Sequence, residues 1–199
     1  WNLLSNNGEF HYAGTNPCAE EPLPAGGSCL LGSMNLAAFV SDEKFDFADF
    51  RISVYIAVQA LNDILEDGLS LHPLKEQRNS VSDWRQIGLG IMGLADMLIK
   101  LKIPYDSEEA RDLCDNIAHA MANQALFTSS KIAEEKGSYT KYDNRVMETH
   151  YFRAHADTRT YDTVLRYGFR NSQLLTIAPT GTLSTMLGIS GGIEPIFAN

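Results

Sequence analysis

The chain has 199 residues, 44% hydrophobic and 21% charged, an ordinary composition for a globular protein with one large core. A chain of that length buries on the order of 70% of the surface it exposes when unfolded. With 16 basic against 25 acidic residues, a net charge of −9, it would repel long nucleic-acid polymers, whose binding rests on phosphate neutralisation by Lys and Arg. A single nucleotide stays open to it, because the first amides of a helix hold phosphate without added positive charge. No apolar run approaches the roughly 20 residues that span a bilayer, and no signal-peptide pattern opens the sequence. Three cysteines without CxxC spacing resemble neither a disulfide scaffold nor a zinc knuckle. A reducing cytoplasm without membrane attachment is therefore the expected setting. Both ends, Trp1-Asn2-Leu3-Leu4 and Pro195-Ile196-Phe197-Ala198-Asn199, read as cuts within a longer polypeptide, since domains more often end in polar, frayed segments. Residues 1–199 are read as a single partial domain.

In chain order, residues 10–14 predict a short strand, followed by a Pro/Gly-rich loop over 15–28 and a strand or mixed segment over 30–40. Asp46 is an N-cap for a helix over about 47–66, with Phe47, Phe50, Val54, Ala57, Leu61 and Ile64 on one face and Gly68 just beyond. A short polar helix is expected over 74–84, then an apolar stretch from Gln86 to Ile91 and a helix from Leu94 to Leu101. Ser107 caps the next helix, with Glu108 and Glu109 at the positive end of its dipole. Its apolar face is Leu113, Ile117, Ala120, Met121 and Leu126, and Gly137 ends it. Residues 138–158 show no period and are read as irregular. The Tyr-rich stretch 139–168 reads as surface packing in preference to a radical relay. A helix over 159–167, a strand from Gln173 to Ala178 and a helix opening at Thr180-Gly181-Thr182 complete an α/β pattern, with active residues expected on loops at strand ends.

The chemistry concentrates in Asn16-Pro17-Cys18-Ala19-Glu20-Glu21-Pro22, with a second thiol, Cys29, eleven positions after the first. If the segment is extended, residues two apart project to one side, so Asn16, Cys18 and Glu20 would all face one small ligand. A sulfur that removes an atom and a carboxylate that takes a proton suit that arrangement. Pro179-Thr180-Gly181-Thr182-Leu183 is the second feature: a strand runs into a glycine-containing helix start whose free amides bind an anion. A capped turn with no ligand is the equal alternative. No Lys follows the glycine, so it is not a P-loop. Gly88-Leu89-Gly90-Ile91-Met92-Gly93 matches GxGxxG, but the strand before it is very short, and close backbone packing through small residues is the preferred reading over dinucleotide binding. Cys114, mid-helix, reads as a small apolar filler. The five histidines lack HxxxH or HExxH spacing, so no metal site is expected.

Taken in order, the cysteine loop, Arg85-Gln86-Ile87-Gly88-Leu89-Gly90-Ile91-Met92-Gly93-Leu94-Ala95-Asp96, Ala178-Pro179-Thr180-Gly181-Thr182 and Gly192-Ile193-Glu194-Pro195 resemble the large catalytic subunit of ribonucleotide reductases. The likeness runs from about residue 10 to the end. The short Cys18–Cys29 spacing, followed by Leu30-Leu31-Gly32-Ser33-Met34-Asn35-Leu36, is most similar to the adenosylcobalamin-dependent (class II) enzymes, with the iron- or manganese-dependent (class I) large subunit as the alternative. The resemblance implies a ten-stranded α/β barrel with the cysteine on a central loop, this chain supplying that loop and the later half of the barrel. It implies that Cys18 becomes the thiyl radical that abstracts the ribose 3′-hydrogen. Glu20 removes the 3′-hydroxyl proton, and Asn16 hydrogen-bonds the ribose hydroxyls. Cys29 is one member of a redox pair whose partner this chain lacks, and Pro179, Thr180, Gly181, Thr182 and Leu183 bind phosphate. The implied partners are a ribonucleoside di- or triphosphate, the rest of the reductase chain, thioredoxin or a similar dithiol reductant, and a second copy in a homodimer. The cofactor implied is adenosylcobalamin, not bound by this segment alone, and the segment alone is expected to be inactive. Residue 19 is alanine where many relatives carry glycine. A non-catalytic assembly piece and an unrelated phosphate-binding thiol protein are the competing classes.

Overall fold

The computed structural model describes residues 11–196. Its first elements are two short antiparallel strands, β1 (Gly14–Thr15) and β2 (Pro22–Leu23), paired Gly14 to Leu23 and Thr15 to Pro22. The strand expected over 10–14 therefore lies later, and residue 10 falls outside the described residues. The segment expected to be mixed over 30–40 is so: β3 (Leu31–Asn35), a 3-10 turn (Leu36–Phe39) and β4 (Val40–Ser41), which pairs with β5 (Lys44–Phe45).

Helix α1 (Phe47–Gly68) starts where its cap predicts, with the Asp46 carboxylate accepting from the amides of Ala48 and Asp49. Gly68 is its last residue, and a 3-10 turn (Leu69–Leu71) follows. Its buried face is Phe50, Val54, Val58, Leu61 and Leu65, whereas Ile64 is 55% exposed. The stripe is rotated from the expected one because α1 packs on two partners, α4 and β3, which together choose its inner side. Helix α2 (Lys75–Trp84) ends at Arg85 in the left-handed region (φ 49°). That geometry turns the chain into β6 (Gly88–Met92), which lies parallel to β3 in the register Leu31 to Gly88 through Asn35 to Met92.

Helix α3 (Leu94–Leu101) begins from Gly93 at φ 70°. Helix α4 (Glu108–Lys136) has Ser107 as N-cap and Gly137 at φ 79° beyond its end, as expected. It is the central helix, buried from Ala110 to Ala133 on its inner side. Residues 138–158 are more ordered than expected, with a 3-10 turn (Asn144–Glu148) and α5 (His150–His155). Nor are the aromatics here a surface layer. Tyr139, Phe152 and Phe169 are buried, and edge contacts join Tyr139 to Tyr142 (5.5 Å) and Phe152 to Phe169 (5.9 Å). Helix α6 (Thr158–Tyr167) follows.

The strand expected over 173–178 is reduced to one parallel bridge, Leu89 to Leu175, with Leu89 N donating to Leu174 O (2.8 Å) and Thr176 N to Leu89 O (3.1 Å). This segment is the third parallel member of the sheet and leads into α7 (Gly181–Leu187). Among the described residues no helix is long and apolar enough to cross a membrane.

All three glycines of the GxGxxG match have structural duties. A Cβ on Gly88 would meet Leu31 Cδ2 at 2.7 Å and Thr176 Cγ2 at 2.9 Å, and one on Gly90 would meet the Thr176 carbonyl oxygen at 2.7 Å. Gly93 turns strand into helix. Close packing explains the motif, as the sequence reading preferred. We predict that Gly90→Ala, which forces backbone away from backbone, lowers unfolding stability by about 1–3 kcal/mol in urea titration, whereas Gly68→Ala, with open space around its Cβ, does not.

Candidate active site

The Asn16–Glu21 segment is not extended. It is the tip of the β1–β2 hairpin, closed by Asn16 N donating to Glu21 O (3.1 Å) and Ala19 N to Asn16 O (3.0 Å). The expected same-side projection of Asn16, Cys18 and Glu20 is corrected accordingly: Asn16 is buried, Cys18 is exposed at the tip and Glu20 is half-buried. Two turns inside six residues override the alternation of a strand. Ala19 sits at φ 64°, a region that costs an L-residue roughly 1–2 kcal/mol, which gives a physical reason for glycine at this position.

The hairpin is held to the sheet by side chains that the sequence reading did not select. The Thr176 hydroxyl donates to Glu20 O (2.8 Å), Gln173 Nε2 donates to Pro22 O (2.8 Å), and Gln86 Nε2 hydrogen-bonds Gln173 Oε1. A lone hydroxyl within Leu174-Leu175-Thr176-Ile177 was the available signal. Inside the hairpin, Asn16 Oδ1 accepts from Glu21 N (2.9 Å) and Asn16 Nδ2 donates to Cys29 Sγ (3.6 Å). One Nδ2 hydrogen remains for a ligand, since an amide nitrogen carries two donors.

Glu21 was missed as well. It is 3% exposed, and neither carboxylate oxygen meets a conventional donor among the described residues. Burial raises its pKa to about 7; the neighbouring Cys29 thiol draws it down in part, and Glu20 adds to the rise. The Cys29 thiol is in turn pushed up to about 12, first by desolvation and then by the Glu21 carboxylate beside it.

Glu20, Glu21 and Pro22 line a cavity of about 410 Å³, walled by Leu89, Leu175 and Thr176 of the sheet and by Cys114 and Met121 of α4. Cys114 is thus a half-buried cavity wall as well as a filler, its pKa raised by burial. Pro179 and Gly181 line a different cavity, of about 440 Å³, with Asp96, Ser184 and Ser190. Thr180 is in the left-handed region (φ 51°), and its hydroxyl accepts from Gly192 N (2.9 Å). Gly181, Thr182 and Leu183 form the exposed first turn of α7. The structure brings Asn16, Glu20 and Cys29 together on one hairpin and its flank, and it places residues 179–183 at a separate cavity. Among the described residues no group of three or more His, Cys, Asp or Glu side chains converges as a metal site.

A parallel sheet backed by helices, with a cysteine hairpin clamped to its third member, defines an α/β barrel segment with a thiol–carboxylate loop. The chain matches the family described as "Ribonucleotide reductase, barrel domain" over residues 2–199 and belongs to that family. It is 37% identical over 198 residues to the "Vitamin B12-dependent ribonucleoside-diphosphate reductase" of Thermoplasma acidophilum, covering 99% of this chain and 23% of that protein. To the protein of the same description from Mycobacterium tuberculosis it is 39% identical over 184 residues, covering 92% and 24%. It therefore spans about a quarter of the length of these curated relatives. The class Id ribonucleotide reductase alpha subunit of Actinobacillus ureae shares the fold, with a TM-score of 0.73 at 22% identity over 99% of this chain and 34% of that one.

Two predictions follow from the hairpin. Ala19→Gly relieves the positive φ and stabilises by up to about 1 kcal/mol, the strain of alanine in that region less the chain entropy of glycine, read as a higher urea midpoint. For Glu21 the folded pKa of about 7 lies above the ordinary glutamate value of 4.5, so the folded chain binds more protons and loses stability as pH rises from 4.5 to 7. We predict that Glu21→Gln flattens that slope and gains on the order of 3 kcal/mol at pH 8.

Proposed function

We propose that this chain is a catalytic-core segment of a ribonucleotide reductase, an oxidoreductase that converts ribonucleotides to 2′-deoxyribonucleotides. The observation that carries the reading is the family match, joined to a hairpin that presents Cys18 at its exposed tip and Glu20 at a cavity of about 410 Å³. In this reading the radical form of Cys18 takes the 3′-hydrogen of the ribose, forming S–H as C3′–H breaks. Glu20 takes the 3′-hydroxyl proton while a thiol of the redox pair protonates the 2′-hydroxyl, which departs as water, and after reduction at C2′ the Cys18 S–H returns its hydrogen to C3′. One oxygen of Glu20, Oε2, is shielded and has no hydrogen-bond partner among the described residues, so it is unencumbered as an acceptor. Asn16, clamped by its carbonyl oxygen, offers its remaining N–H to a sugar hydroxyl. Cys29 and a thiol elsewhere in the whole protein become a disulfide and supply two electrons and two protons. Pro179 to Leu183 hold the phosphates. Cys18 is exposed in this chain, and a carbon radical needs shelter from water. The rest of the barrel is the enclosing wall we infer.

We assign ribonucleoside diphosphate as substrate, after the printed names of the two relatives, thioredoxin or a similar dithiol as reductant, and the cytoplasm as location, with a homodimer as the assembled form. Adenosylcobalamin is the proposed cofactor of the whole enzyme, on the same ground. The residues of this segment do not fit it: a cavity of about 410 Å³ suits a nucleotide and is too small for a corrin ring. No step above is routed through it.

The test is made in the complete enzyme. Cys18→Ser is expected to abolish turnover while leaving nucleotide binding intact. Glu20→Gln is expected to lower kcat about 100-fold or more, the span of a general base, with KM changed only a few-fold. Full activity in Cys18→Ser refutes the reading.

A further inference from the structure

Glu21 plays no part in the chemistry above, yet among the described residues it is the only buried carboxylate. Burying an unpaired charge is costly, and a carboxyl so placed holds its proton or borrows one. Its neighbour is Cys29, which Asn16 Nδ2 also approaches, so an amide, a carboxyl and a thiol meet behind the hairpin tip. Glu21 lines one cavity, of about 410 Å³, and Cys29 lines a second, of about 260 Å³, shared with Ile64, His72 and Gln86. The sulfur can therefore be reached from outside while the carboxyl stays covered.

We propose that Glu21 and Cys29 form a carboxyl–thiol pair that shares one proton near neutral pH, and that Glu21 stores the proton which Cys29 regains on reduction. The pairing rests on the burial of the unpartnered Glu21 carboxyl and on the contact of both residues with Asn16; the redox use rests on the function proposed above. When a dithiol reductant attacks the disulfide of Cys29, the reductant thiolate forms a new S–S bond and the old one breaks. If Cys29 is the leaving sulfur, it departs with the electron pair and takes the proton of the Glu21 carboxyl. The carboxylate then recovers a proton from solvent. The reductant's second thiol closes its own disulfide and releases the other enzyme thiol, protonated by water.

Other titratable groups near the pair are Glu20 on the same hairpin, Cys114 and Tyr151 on the cavity wall and His72 across the second cavity. No lysine or arginine lines either cavity. The coupling predicts a specific profile, because ionising one member of such a pair suppresses the other.

The experiment is iodoacetamide labelling of Cys29 in the complete protein from pH 5.5 to 9, read site by site by peptide mass spectrometry. In the unaltered protein the rate rises about tenfold per pH unit up to about pH 7, then levels as Glu21 ionises and holds the thiol protonated. In Glu21→Gln the rise continues, so the two agree at pH 5.5 and the variant is at least about tenfold faster at pH 9. Unchanged labelling of Cys114 shows that the fold is intact. Parallel profiles in the two proteins overturn the proposal. So does a break near pH 7 that survives Glu21→Gln and disappears in His72→Gln. Labelling requires no turnover, so this result and the Cys18→Ser result fail independently.

Discussion

Two missing side chains set the position of the reactive loop. Gly88 and Gly90 leave the face of β6 bare, and residues 174–176 settle against it at backbone distance. Thr176 then directs its hydroxyl at Glu20 O, and Gln173 reaches Pro22 O. The hairpin that carries Cys18 thus hangs from a segment 156 residues later in the chain. A methyl group at residue 90 would enter this stack against the carbonyl of the residue that anchors the loop.

Polar groups are buried where elements must be held in one arrangement, and a network centred on Arg85 and Asn171 pairs several of them. Arg85, 4% exposed, pairs with Glu66 and reaches Asn62 Oδ1 at 3.3 Å; Arg170 meets the same Glu66 oxygen, Oε2, at 3.2 Å. Burial alone would raise the Glu66 pKa, but these two guanidinium groups hold it below the usual carboxylate range. Asn171 donates to Arg85 O at 3.1 Å and exchanges hydrogen bonds with Ser129 of α4. This network joins α1, α4 and the segment entering residue 173, so the third member of the sheet is placed by hydrogen bonds as much as by the core. Glu21 breaks the pattern, being buried beside a thiol with no lysine or arginine, among the described residues, lining either adjoining cavity. A charge left without a counter-ion in a dry site is where proton chemistry is expected.

The placement of the chemistry also bears on how a nucleotide would lie. The hairpin and the α7 start line separate cavities of about 410 and 440 Å³. The loop over 188–192 is stitched back to β6 and α3, with Gly93 N donating to Ser190 O and Ser190 N to Asp96, each bond 2.7–2.8 Å long. That stitching fixes the first turn of α7 relative to the sheet.

Local signals in the sequence determined most helix boundaries. Asp46 and Ser107 begin α1 and α4 because their side-chain oxygens satisfy amides within three residues, and Gly137 ends α4 because it accepts a positive φ. The cysteine loop, Arg85 to Asp96, Ala178 to Thr182 and Gly192 to Pro195, in that order, also pointed to the family. What sequence could not set depended on partners far along the chain. The inner face of α1 was decided by α4 and β3, which favour Val58 and Leu65 over Ala57 and Ile64. The bend at Cys18 was decided by Asn16, Thr176 and Gln173, whose hydrogen bonds outweigh the alternation of a strand. The pairing of Glu21 with Cys29 came from that same bend. An extended chain would have sent residue 21 to the opposite side from Cys18 with no reason to meet residue 29, and only folding brings the buried acid next to the exposed thiol.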